Sequence, residues 1–125
     1  MPNQKLLESF DTPRHEPFVI EHVSDEFTSL CPITGHPDFG SVTLRYSPAE
    51  NGKCVELKSL KLYYQSFRNE GIFYEAVTNQ IRDDLVEMMG GARWLQVITD
   101  WKGRGGIRSQ IRADFGDVPD AWKTK

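Results

Sequence analysis

The residues best suited to covalent chemistry sit in one short stretch, Leu30-Cys31-Pro32-Ile33-Thr34-Gly35-His36-Pro37-Asp38-Phe39. A cysteine is followed by two prolines and a glycine, a combination that fixes a tight loop and carries Asp38 back toward the thiol. A free thiol of pKa ~8.5 is only a few per cent thiolate at neutral pH, so a nucleophilic cysteine needs a setting that activates it. Pre-set backbone angles at Pro32 and Pro37 lower the entropy cost of holding sulfur and carboxyl together. The quieter alternative makes Cys31 a small buried side chain and Asp38 an ordinary turn residue. On spacing alone that alternative is favoured, because cysteine is among the most buried residue types. No metal is expected: Cys31, His36 and Cys54 lack zinc-site spacing, and His15 and His22 fall outside any close cluster.

Groups that could hold an anion or a ring edge lie further on. Lys58 and Lys61, interleaved with apolar residues in Glu56-Leu57-Lys58-Ser59-Leu60-Lys61-Leu62-Tyr63, project together if the chain passes into a helical turn there. Such a pair suits a phosphate, although a solvated amphipathic face explains this segment by itself at least as well. Lys102-Gly103-Arg104-Gly105-Gly106 adds a third cationic element, in a turn whose backbone amides could also meet a phosphate. Glu75 stands near the start of an expected helix, where an acidic residue ordinarily complements the helix dipole. Its sharper use is to accept two hydrogen bonds at once from the paired N–H donors of a guanine-like edge.

These groups must be positioned by a chain of 125 residues, enough for one α+β domain with a real core. Fifteen Lys plus Arg against eighteen Asp plus Glu give a net charge of −3, which excludes a generally basic nucleic-acid coat and a polybasic membrane anchor. No apolar run approaches the ~20 residues of a spanning helix, and residues 1–10 lack a signal-peptide core, so no membrane association and a cytoplasmic location are expected. Cys31 and Cys54 are then thiols rather than a disulfide. Residues 1–16 read as a flexible amino-terminal segment, 17–115 as the single domain that carries these candidate groups and 116–125 as a tail.

Within that domain, Phe18–Val23 and Phe27–Cys31 read as the start of a sheet, and Ser41–Tyr46 as a strand. Residues 47–53 have hairpin-loop chemistry, which makes Cys54–Leu57 the returning strand. Phe73, Val77, Ile81, Leu85 and Met88 recur at helical spacing up to Gly90-Gly91. Trp94–Trp101 and Ile107–Phe115 follow as strands. The sum is an antiparallel sheet with its helix on one face. Its outer edges are left unpaired, and closing a ring of subunits would cover them.

Taken together, Cys31-Pro32-Ile33-Thr34-Gly35-His36-Pro37-Asp38-Phe39, Glu56 to Tyr63, Ser66-Phe67-Arg68-Asn69, Glu75 and Arg104-Gly105-Gly106 resemble the short, single-domain form of the NADPH-dependent 7-cyano-7-deazaguanine reductases, the nitrile reductases of queuosine biosynthesis. The resemblance runs from about residue 17 to 115. It implies the tunnelling fold, shared with type I GTP cyclohydrolase, in which helices pack on one face of an antiparallel sheet and subunits form rings with active sites between them. It implies further that Cys31 adds to the nitrile carbon to give a covalent thioimide and that Asp38 donates the proton. Hydride from NADPH then arrives twice, ending at the aminomethyl group. By the same resemblance Glu75 and Tyr74 bind the deazaguanine, and Val55, Glu56 and Leu57 line it through their strand backbone. Lys58, Lys61 and Arg104 hold the NADPH phosphates. Position 74 is histidine in many members; the tyrosine here still donates a hydrogen bond, but its ordinary pKa of ~10 makes it a poor proton exchanger near neutrality.

Two other functions fit some of the same residues. A related amidine-forming transferase would use the Cys31 adduct but let an amine attack it; the presence of Glu56 to Tyr63, which such relatives lack, argues for reduction. A non-catalytic purine- or pterin-binding module would keep the fold and Glu75 without needing the thiol.

Overall fold

Apolar alternation and helical spacing divide the chain into β1 (Ser9–Asp11), β2 (Ile20–Leu30), β3 (Pro37–Ser47), β4 (Lys53–Val55), α1 (Leu57–Gln65), α2 (Tyr74–Met89), β5 (Trp94–Arg104) and β6 (Ile107–Gly116). The computed structural model describes residues 2–123. Strands β2, β3, β5 and β6 form an antiparallel sheet in the order β2-β3-β5-β6, and β1 pairs with β4 in a separate ribbon.

One face of the sheet carries the core. Val42, Leu44 and Tyr46 of β3 stand directly opposite Thr99, Val97 and Leu95 of β5, so alternate residues of both strands point the same way. Against them α2 lays Val77, Ile81, Leu85 and Met89, a stripe at every fourth residue, all buried. Leu60, Tyr63, Tyr64 and Phe67 of α1 and the turn after it fill the other end, where Phe27 meets Tyr64 edge-on at 5.8 Å and Phe67 at 5.3 Å.

Three features differ from the sequence-based expectation. Cys54–Leu57 does not return beside Ser41–Tyr46, because both edges of β3 are already taken, by β2 and β5; β4 pairs instead with β1, and the Val55 N–H reaches the Tyr46 hydroxyl at 3.0 Å. Leu57, expected as the end of the returning strand, instead starts α1, which the Glu56 side chain caps, so Lys58 and Lys61 lie in the helical turn that their joint projection requires. The two expected amino-terminal strands are one strand, β2, whose pairing with β3 slips by one residue between Ser24 and Phe27.

The ends of the chain also have structure. Residues 9–11 of the amino-terminal segment form β1, and Leu7 is buried in the core. Beyond β6, Val118 is buried, and Trp122 lies under the Arg45 guanidinium, 5.0 Å from its ring centre. Arg45 also donates to Glu21 at 2.5 Å and to Gln96 at 3.1 Å, and Gln96 in turn donates to the Trp122 carbonyl at 3.0 Å. Thr124 and Lys125 of the expected tail lie outside the described residues.

Gly40 makes room for a neighbour that matters below. It pairs with Trp101 across β3 and β5, and a Cβ there would stand 2.5 Å from the Asp100 carbonyl oxygen and 3.0 Å from the Trp101 ring. Gly40→Ala is expected to lower stability by about 1–3 kcal/mol, the usual cost of overpacking a filled site. Chemical denaturation measures it, and an unchanged midpoint would contradict the packing described.

Candidate active site

Cys31 follows the last residue of β2, and the loop after it folds back on itself. The Cys31 N–H donates to the His36 carbonyl at 2.9 Å, and the Gly35 N–H donates to the Cys31 carbonyl at 2.8 Å. Gly35 takes a φ of +74°, a left-handed conformation that closes so short a loop at little cost only for glycine. The chain then enters β3, where Asp38 pairs directly with Ser29. Local chemistry thus brings the thiol and the carboxyl to one end of the sheet, both largely buried.

A second connection brings the helix. Leu30 donates its N–H to the Glu70 carbonyl at 2.9 Å and accepts from the Ile72 N–H at 3.1 Å, a parallel bridge centred on Gly71. The next residues, Phe73, Tyr74 and Glu75, therefore start α2 beside Cys31. A cleft of about 350 Å³ results, lined by Cys31, Asp38, Tyr74 and Glu75 with Ile33 and Phe73 among the apolar walls. The Tyr74 hydroxyl donates to Asp38 Oδ1 at 3.2 Å. The Ser29 hydroxyl, fully buried across from Asp38, has no hydrogen-bond partner among the described residues.

The arrangement suits addition to a flat, polar, unsaturated ligand. Sulfur and an acid face the same space, a carboxylate at the helix start can take paired N–H donors, and most of the remaining wall is apolar. No group of three or more His, Cys, Asp or Glu side chains is arranged to hold a metal ion among the described residues.

The other expected site residues stand elsewhere in the protomer. Val55, Glu56 and Leu57 line a separate cleft of about 460 Å³ with Phe10, Ile20 and Cys54. Glu56 is committed to the helix. Its carboxylate accepts from the Lys58 and Ser59 N–H groups, both at 2.8 Å, and its own N–H donates to the Glu8 carbonyl at 2.9 Å. Those two backbone donors, Lys58 first, hold the carboxyl below the usual glutamate value.

Lys61 lines a third cleft, between α1 and β2, with His22, Tyr64 and Arg68. Burial pushes the His22 imidazole down, so it is neutral near pH 7 and the cleft's positive charge comes from Lys61 and Arg68. The side chain of Arg104 lies outside the described residues; its backbone ends β5.

Sequence reading missed several neighbours. Arg68 lies in the turn after α1 and lines the same cleft as Lys61, a neighbour visible only once the helix and its end are known. Trp101, Thr99 and Thr78 pack behind Tyr74, a contact between distant segments that no local pattern announces.

Comparison with known proteins gives consistent matches. The family model described as QueF-like protein matches residues 37–119. A protein of Chlorobium phaeobacteroides (strain BS1) named NADPH-dependent 7-cyano-7-deazaguanine reductase is 54% identical over 119 residues, covering 94% of this chain and 98% of that one. Proteins of the same name from Anaeromyxobacter sp. (strain K) and Chlorobium chlorochromatii (strain CaD3) are 52% and 51% identical, over 95% and 89% of this chain and 98% and 94% of theirs. Among solved structures, the archaeosine synthase QueF-Like in the apo form superposes with a TM-score of 0.73 at 19% identity, covering 83% of this chain and 99% of the other. That likeness places the fold in the tunnelling class.

The Glu56 cap gives a pH-dependent outcome. A carboxyl whose folded pKa is depressed stabilises the fold above its unfolded value, about 4.5, and that stability is lost as pH falls through the lower folded value. Glu56→Gln should therefore flatten part of the fall in melting temperature between about pH 5 and pH 3. Acid melting profiles that superimpose on those of the parent would remove the charged cap from the account.

Proposed function

The chain belongs to the QueF-like family, and on that premise we propose that it reduces the nitrile of 7-cyano-7-deazaguanine to 7-aminomethyl-7-deazaguanine with NADPH, in queuosine biosynthesis. The observation that carries the reading is the convergence of Cys31, Asp38, Tyr74 and Glu75 on one cleft.

Cys31 Sγ forms a bond to the nitrile carbon as one C–N π bond opens, and Asp38 gives the nitrogen a proton, leaving a thioimide on the enzyme. A nitrile is a poor hydride acceptor, and the thioimide carbon is a better one. Reduction to the amine takes four electrons, so two NADPH molecules bound in turn would each supply one hydride, the first taking this carbon to the imine and the second, with a further proton on nitrogen, to the amine. Between the two hydrides the C–S bond breaks and Cys31 departs with its electron pair, so sulfur returns to its starting state. Glu75 holds the N–H edge of the ring, and Tyr74 keeps its hydroxyl on Asp38.

Lys58, Lys61 and Arg104 are the groups for the cofactor phosphates. The cleft beside Lys61 fits that use, since Arg68 adds a second cation there. Val55, Glu56 and Leu57 line a different cleft from Cys31, and among the described residues the outer edges of β2 and β6 carry no further strand, only the single Leu30–Gly71 bridge on β2. Both facts favour a homo-oligomeric ring in which a neighbouring subunit brings Val55–Leu57 to the Cys31 cleft.

Mass spectrometry of protein soaked with the nitrile, without cofactor, should show one covalent adduct that vanishes in Cys31→Ala. NADPH should be oxidised only when the nitrile is present. Asp38→Asn should retain binding and lower turnover by about 10²-fold or more, the usual scale for loss of a positioned acid. An adduct without any NADPH oxidation would replace reduction by amine transfer. Ligand binding with no adduct would leave only a binding module.

A further inference from the structure

The start of α2 is tied to β5 at two points one helical turn apart. Four residues advance a helix by about 6 Å and two advance a strand by about 6.6 Å, so side chains at i and i+4 of one can meet those two apart on the other. Tyr74 and Thr78 meet Trp101 and Thr99 in this way. The Tyr74 and Trp101 rings stack with centroids 4.0 Å apart and planes within 7°. The Thr78 and Thr99 hydroxyls stand 2.7 Å apart.

Donor inventory fixes the direction of the connecting hydrogen bonds. An indole N–H can only donate, so Trp101 Nε1 gives its proton to Thr99 Oγ1 at 2.8 Å. A carbonyl can only accept, so Thr78 Oγ1 donates to the Tyr74 carbonyl at 2.9 Å. Each hydroxyl has one hydrogen, and Thr99 must therefore donate to Thr78. The series runs from the Trp101 indole through two threonines back to the backbone of the residue stacked on that indole. Each link uses a donor once.

The indole itself is held on its other sides. Trp101 is 3% exposed, Phe27 meets it edge-on at 5.8 Å, and Gly40 leaves space beneath it. Tyr74, by contrast, is half-buried and is the first residue of its helix, where backbone order is weakest. A flat wall under its ring removes the rotation that would otherwise carry the phenol off Asp38.

We propose that Trp101, anchored by Thr99 and Thr78, is a positioning residue for the reduction: it holds the Tyr74 ring so that the phenol stays on Asp38 while that carboxyl protonates the substrate nitrogen. This rests on the role given to Asp38 under the proposed function.

Turnover and KM are measured for Trp101→Leu, Trp101→Phe and Thr99→Val, with each preparation counted by its Cys31 adduct so that misfolded protein does not enter the rate. Trp101→Leu should lower kcat about tenfold and move KM for the nitrile by less than about twofold, on the scale of a lost aromatic pair. Trp101→Phe, which keeps a ring but loses the N–H, should recover to within about threefold of the parent, and Thr99→Val should behave like it. In a Tyr74→Phe background, Trp101→Leu should cost nothing further in kcat. A full additional loss in that background would overturn the proposal, because Trp101 would then act independently of the phenol. A crystal structure of Trp101→Leu in which the Tyr74 hydroxyl still sits on Asp38 would also overturn it. That readout stands even if the parent protein shows no nitrile turnover, the result that counts against the proposed function instead.

Discussion

Everything at the site depends on two backbone hydrogen bonds at Leu30. Its N–H and C=O, unused by β3 at the end of the strand, are taken by Glu70 and Ile72, and this short parallel bridge sets the start of α2 beside the Cys31 loop. Buried backbone groups need partners, so the bridge both satisfies Leu30 and fixes a distance between segments forty residues apart in sequence. Without it the loop would still carry thiol and acid, but Tyr74 and Glu75 would have no reason to face them. Side-chain contacts then refine what the backbone has placed, with the phenol on Asp38 and the indole under the phenol.

Local features were legible in the sequence for a simple reason: their causes are local. Pro32, Gly35 and Pro37 shape a loop by their own backbone preferences, and Val77, Ile81 and Leu85 declare a helix by spacing alone. The strand partner of residues 53–55 was not legible, since it depends on β3 having both edges occupied by segments distant in the chain. Helix α1 was half visible. Leu60, Tyr63, Tyr64 and Phe67 have the right period, yet Cys54-Val55-Glu56-Leu57 before them looks like a strand, and an uncommon glutamate cap marks the boundary. Of the site, Cys31, Asp38, Tyr74 and Glu75 came together as a group, while the Trp101 wall required knowing which helix lies on which strand.

The division of the remaining residues between clefts has a physical side as well. Glu56 spends its carboxylate on two helix amides and its own N–H on Glu8, so its contribution to the protomer is to end one element and begin another. Residues around such a junction are held rigidly without being enclosed, a fitting way to present them to another surface. The opposite face of the sheet is occupied differently: Arg45 lies between Glu21, Gln96 and the Trp122 ring, which keeps the last described residues against the strands.

The slip in β2 has a consequence for the thiol seven positions beyond Ser24, where it begins. Before it, His22 and Ser24 stand opposite Leu44 and Val42; after it, Phe27 and Ser29 stand opposite Gly40 and Asp38. One surplus residue has exchanged odd for even, turning Phe27 inward and leaving Glu26 to the solvent. Homologous chains that drop or gain a single residue between 24 and 27 would count to the wrong parity, and every side chain downstream, up to the sulfur, would change sides together.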